Sequence, residues 1–207
     1  TASGEKIFYS SVAYLQSTDD TSRLDEFRDK GDYEGLLQAA KEYYDGNGIN
    51  EQYTFASPLQ NKGDDLLIED KDFAVVYNNS VGGTYEVMLK YSEQEIRDHI
   101  TRYGTRLASD DIKEVAKDMV AEQFQAITKQ RIPVFEMPSG DILYAGYNRE
   151  TDTLDVGTVV NAGLVPNHQF PCDHDNSLES NLQSVHSELS HMEQYQEEEV
   201  EYSGGMH

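Results

Sequence analysis

The chain has 207 residues, 37% of them hydrophobic, which is enough for one or two packed domains and excludes disorder throughout. Its 39 aspartates and glutamates oppose 16 lysines and arginines, and the resulting formal charge of -23 excludes direct nucleic-acid binding through a basic footprint. The longest apolar run, Phe73 to Tyr77, falls far short of the ~18 residues that a membrane-spanning helix requires. Cys172 stands alone and closes no internal disulfide, and Thr1 to Gln16 lacks a basic start followed by an apolar run, so the expectation is an intracellular, cytoplasmic protein with no membrane segment.

In chain order, Leu24 and Phe27, then Leu36, Leu37, Ala40, Tyr43 and Tyr44, recur at helical spacing and predict helices over 22–27 and 32–44, separated by Gly31. The polar stretch 50–65, with Pro58 and Gly63, reads as a loop. Segments 73–77 and 85–91 are rich in Val, Tyr and Phe and flank a turn containing Gly82 and Gly83, which predicts a hairpin. Tyr85, Val87, Leu89 and Tyr91 alternate with Glu86 and Lys90, the pattern of a sheet covered on one face.

Ser92 and Glu95 form an S-x-x-E capping box, in which each side chain satisfies a backbone N–H left free by the first turn, so a helix is expected to run to Tyr103 before Gly104. A second helix is expected after Ser109. Asp110 and Asp111 suit the positive end of its dipole, and Ile112, Val115, Ala116, Met119, Phe124 and Ile127 give it a buried stripe up to Gln130. Segments 133–137, 142–147 and 153–160 predict a three-stranded meander, followed by a loop holding Pro166 and Pro171. Asn176 with Glu179 opens a last helix whose seam is Leu178, Leu182, Val185, Leu189 and Met192.

Strands and helices in separate blocks indicate an α+β fold with mainly antiparallel sheet: a hairpin plus a three-stranded meander, packed with four to five helices and ending in an amphipathic helix and an acidic tail. The expected division is an N-terminal half, 1–104, a C-terminal half, 105–196, and a frayed, disordered tail, 197–207; one compact domain fits the same pattern.

The charge is blocky. Residues 1–100 and 151–207 each sum to -11, residues 101–150 to -1, and no lysine or arginine follows Arg149. A duplex carries one charge per ~1.7 Å of axis, so this chain matches ~39 Å of DNA, roughly eleven to twelve base pairs. A compact chain of this length has a diameter of about 43 Å. The expected function is therefore that of a DNA mimic: a non-enzymatic acidic inhibitor, of antirestriction, anti-CRISPR or anti-nuclease type, lying in the basic groove of a nuclease, restriction enzyme, CRISPR effector or repressor. The candidate partner-binding residues are Asp152, Asp155, Asp173, Asp175, Glu179, Glu188, Glu193, Glu197, Glu198, Glu199 and Glu201. Tyr195 joins them, with Tyr202, as an aromatic among glutamates that offers contact area at low entropic cost.

In a coiled-coil register Glu179, Glu193 and Glu188 flank the seam of the last helix, so a parallel homodimer would set acid against acid and is disfavoured. The plain alternative is a solvated acidic surface with no partner. A second alternative is an adaptor that engages another protein through the apolar side of the last helix.

No phosphate-binding loop, dinucleotide turn, nucleophile elbow or H-E-x-x-H helix occurs, so no catalytic residue and no cofactor is expected. His168, Cys172 and His174, beside Asp173 and Asp175, are the one cluster with metal-ligand chemistry, and they support a third reading, a hydrolase with an uncatalogued metal site. The absence of a second cysteine keeps the set outside the spacings of structural zinc sites.

Overall fold

The computed structural model describes residues 5–16, 21–44, 52–59, 66–79 and 83–196. The expected tail, 197–207, lies outside the described residues, as do 50–51 and 60–65 of the expected loop. Among the described residues there are five α-helices and two four-stranded antiparallel sheets, an α+β architecture. It divides into two compact units, Thr1–Ala116 and Lys117–His207.

The first unit contains strand β1 (Ile7–Leu15), helices α1 (Ser22–Asp29) and α2 (Tyr33–Lys41), strands β2 (Leu66–Glu69), β3 (Phe73–Asn78) and β4 (Thr84–Ser92), helix α3 (Glu93–Tyr103) and the start of helix α4 (Asp110–Ala126). Its sheet runs β1-β4-β3-β2. The predicted hairpin is β3–β4, with Tyr77 opposite Tyr85, and Tyr85, Val87, Leu89 and Tyr91 are all buried. Leu24, Leu36, Leu37 and Ala40 of the first two helices pack with Val75, Tyr85 and Val87, which supplies the cover that the alternation demands. The Asp32 side chain caps α2 by accepting from Gly35 N–H, and Ser92 caps α3 by accepting from Glu95 N–H.

Two strands of this sheet went unread in the sequence. β1 buries Phe8 and also Ser10, whose hydroxyl donates to Gln52 Oε1 across a long sequence separation, so its buried face does not look apolar. β2 reads Leu-Leu-Ile-Glu, which shows no apolar–polar alternation. The expected loop also carries structure: Gln52–Phe55 forms a short 3-10 turn that buries Tyr53, and Ser57 exchanges backbone hydrogen bonds with Tyr9.

The second unit carries the remainder of α4, strands β5 (Ile132–Glu136), β6 (Ile142–Asn148), β7 (Thr153–Val160) and β8 (Gly163–Pro171), helix α5 (Leu178–His191) and a 3-10 turn, Glu193–Tyr195. The sheet runs β5-β6-β7-β8. The expected meander therefore has a fourth strand where a loop was predicted. β8 is an edge strand, in which a missing N–H leaves no ladder partner unsatisfied, and that is how Pro166 and Pro171 are accommodated. Pro166 lies opposite Gly157, where the register slips between Val156 and Gly157.

The turn from β7 to β8 is Asn161-Ala162, with φ of 51° and 64°. Two successive positive φ values in a two-residue hairpin loop are those of a type I′ turn, whose second position favours glycine. Ala162→Gly should therefore stabilise the unit by about 1 kcal/mol, the cost of holding a Cβ in left-handed backbone. An unchanged or lowered unfolding midpoint in thermal denaturation would contradict this.

The second core gathers Phe124, Val134, Leu143, Ala145, Leu154, Val156, Val185 and Leu189. α4 ends at Ala126, short of the expected Gln130, in a turn that closes with Gln130 N–H on Ile127 O. α5 is capped by Ser177, which accepts from Ser180 N–H, and not by Asn176. Asn181 is the side chain that fixes the entry into α5. Buried, it donates to the carbonyls of Asp173, Asn176 and Ser177 and accepts from Asp173 N–H, so it satisfies groups that the turn leaves open.

Candidate functional site

The described candidate carboxylates all lie in the second unit, and they divide by what holds them. Asp152, at the turn into β7, accepts from Tyr147 Oη at 2.8 Å and meets His174 Nε2 at 2.7 Å. Asp155, on β7, accepts from Asn148 Nδ2, Thr153 Oγ1 and Gln169 Nε2 at 2.8–3.1 Å. Both are partly buried and tie strands together. Asp173 accepts from Asp175 N–H and Asn176 Nδ2 in the turn before α5, and Asp175 meets Lys117 Nζ at 3.6 Å.

Glu179, Glu188 and Glu193 are different. All three are exposed, and among the described residues no lysine or arginine pairs with them. At ~100° per residue, Glu179 and Glu188 stand about 180° apart around α5. The free carboxylates therefore flank the helix on two sides and do not form one uninterrupted face with Asp152 and Asp155. The apolar seam between them is occupied within the unit, because Val185 and Leu189 are buried in its core.

Tyr195, expected at an interface, is spent internally: it is half-buried, its hydroxyl lies 2.7 Å from His168 Nε2, and its ring centroid is 5.6 Å from that of Phe135. Glu197, Glu198, Glu199, Glu201 and Tyr202 lie outside the described residues.

In the structure Cys172 and His174 both neighbour Asp152, whereas the His168 ring bonds Tyr195. His168 lies on β8, not in a loop, and bonds Tyr195. His174 meets Asp152 and sets its ring against Phe124 at 5.3 Å. Cys172 packs against the core, where burial, with the charges of Asp152 and Asp155 adding to it, pushes the thiol up to about 12. Among the described residues no group of three or more His, Cys, Asp and Glu side chains converges as a metal shell.

The thiolate is the nucleophilic form, so at pH 8 iodoacetamide should alkylate the native protein slower than the urea-unfolded chain by on the order of 10³. Comparable rates by mass spectrometry would place the thiol in a different environment.

Among the described residues of the second unit, two hollows have linings that bear on function. One, of about 240 Å³, lies beside α5; Leu154, Phe170, Pro171 and Val185 give it apolar walls, while Asn176, Ser180, Ser184, Asp173 and Glu188 supply polar groups. The other, of about 300 Å³, has Arg131, Arg149, Glu150 and Asp155 around Gly146, Leu164 and Pro166, a lining in which both signs of charge occur. The first hollow escaped the sequence reading. Its signal was the run Ser180, Ser184, Glu188, spaced four apart and so stacked along one side of a helix.

No family model, curated protein or solved structure matches this chain.

Proposed function

We propose that the protein is a non-enzymatic acidic inhibitor whose C-terminal unit stands in for a nucleic-acid duplex in the basic groove of a DNA-handling protein. The observation that carries this reading is the set Glu179, Glu188 and Glu193, exposed and, among the described residues, without a cation, on a unit where no lysine or arginine follows Arg149. Desolvating an unpaired carboxylate is costly unless a cation replaces water, and a groove lined with lysine and arginine supplies that cation. Counterions released from both surfaces add a favourable term at low salt. The partly buried Asp152 and Asp155 hold the scaffold on which these groups are displayed.

Capture from a cell lysate at 50 and 300 mM salt, with a 12-base-pair duplex as eluant, tests the reading. The expected result is enrichment, at low salt, of DNA-binding proteins that the duplex releases. Retained proteins that the duplex fails to release, or no enrichment of DNA-binding proteins at all, would contradict it.

A further inference from the structure

We infer that the hollow beside α5 receives an arginine side chain of the partner, an inference that rests on the docking reading above and names its point of attachment. Three features of the pocket select this occupant. Its lining holds two carboxylates, Asp173 and Glu188, and no lysine, arginine or histidine, so its field is wholly anionic. Its walls are apolar where Leu154, Phe170, Pro171 and Val185 meet, which suits the aliphatic stem of a long basic side chain while the charged head stays at the mouth. Of its remaining lining residues, Ser180, Ser184 and the Asn176 amide offer neutral oxygens beside the carboxylates, while the Asn181 amide is engaged with the backbone of the turn.

That acceptor set favours arginine over lysine. A guanidinium carries five N–H donors in a fixed plane and is weakly hydrated, so it can serve two carboxylates and a hydroxyl together; an ammonium carries three donors and holds its water more strongly. Among the described residues Glu188 has no cation of its own, and Asp173 accepts only neutral donors, from Asp175 N–H and Asn176 Nδ2. The pocket is also pre-shaped on one side. Asn181, which itself lines it, locks the 173–177 turn to the first turn of α5, so the backbone that carries Asp173 is set before a ligand arrives.

The test is an NMR titration of the full chain with three probes: N-acetyl-arginine amide, N-acetyl-lysine amide and N-acetyl-citrulline amide. Saturable shifts at the Phe170, Ser180, Ser184 and Glu188 amides are expected with the arginine probe, weaker ones with lysine and none with the neutral citrulline. Ser184→Phe keeps every charge but fills the hollow, and should weaken arginine binding about tenfold or more. Glu188→Gln keeps the shape and should weaken it about fivefold. Equal response to arginine and citrulline, non-saturating shifts spread over all acidic residues, or unchanged binding by both variants would overturn the pocket. Duplex-releasable lysate capture, measured on the same proteins, separates the two levels. A folded Ser184→Phe chain that still captures its partner with undiminished affinity overturns the pocket alone. Saturable arginine binding without any duplex-releasable capture leaves the pocket standing and overturns the docking reading.

Discussion

Gly157→Ala is expected to destabilise the C-terminal unit by about 3 kcal/mol or more, the upper range for overpacking a well-fitted interior. A Cβ built at Gly157 overlaps the carbonyl oxygen of Val165 and falls 2.8 Å from its carbonyl carbon and 2.9 Å from Pro166 Cα. These are backbone atoms of the neighbouring strand, so no rotamer change relieves the contact. The only escape is to part β7 from β8 at the register slip, where Leu154 and Val156 of β7 enter the core. Gly163→Ala is the internal control. It lies in the same hairpin, yet a Cβ there meets only Val160 O at an ordinary 3.5 Å, so its cost should stay within about 0.5 kcal/mol. Chemical denaturation followed by tyrosine fluorescence compares the two; equal midpoints would show that β8 does not sit against Gly157 as described.

The triple exchange Glu179→Gln, Glu188→Gln and Glu193→Gln should leave the unfolding midpoint within experimental scatter and weaken partner binding roughly ten- to a hundred-fold at low salt. That range takes up to ~1 kcal/mol for each exposed ion pair lost. All three side chains are exposed and none is needed for a capping or strand-linking bond, which is why stability is spared. Asp152→Asn and Asp155→Asn are the wrong variants for this purpose. The first disturbs the link from Tyr147 through Asp152 to His174, and the second replaces an acceptor of three side-chain donors, so each is expected to lower stability before binding is considered. Binding unchanged by the triple exchange would remove these glutamates from the interface.

What the sequence made legible was local. The Ser92–Glu95 cap, the β3–β4 hairpin and the α4 helix are written in a few adjacent residues, and each lies within a residue or a turn of its predicted bounds. β8 was hidden because two prolines argue against a strand, and only its place at a sheet edge, a property of the whole unit, permits them. β1 was hidden because Ser10 is buried by a hydrogen bond to a residue far along the chain. The candidate carboxylates show the same limit. Asp155 and Glu188 are equivalent as letters, and what separates them is the set of donors that other segments bring to one and not to the other. A count of charge therefore marks the region but not which of its acids remain unspent.

The most direct measurement is the salt dependence of the affinity between this protein and the DNA-binding protein it captures, taken from 50 to 400 mM salt with and without a 12-base-pair duplex. Counterion release requires log K to fall linearly with log salt at a slope of several units, shallower for the triple glutamine variant, with duplex and acidic protein excluding one another. A slope near zero, or a stable ternary complex containing the duplex, would show that the unpaired glutamates do not take the place of phosphates.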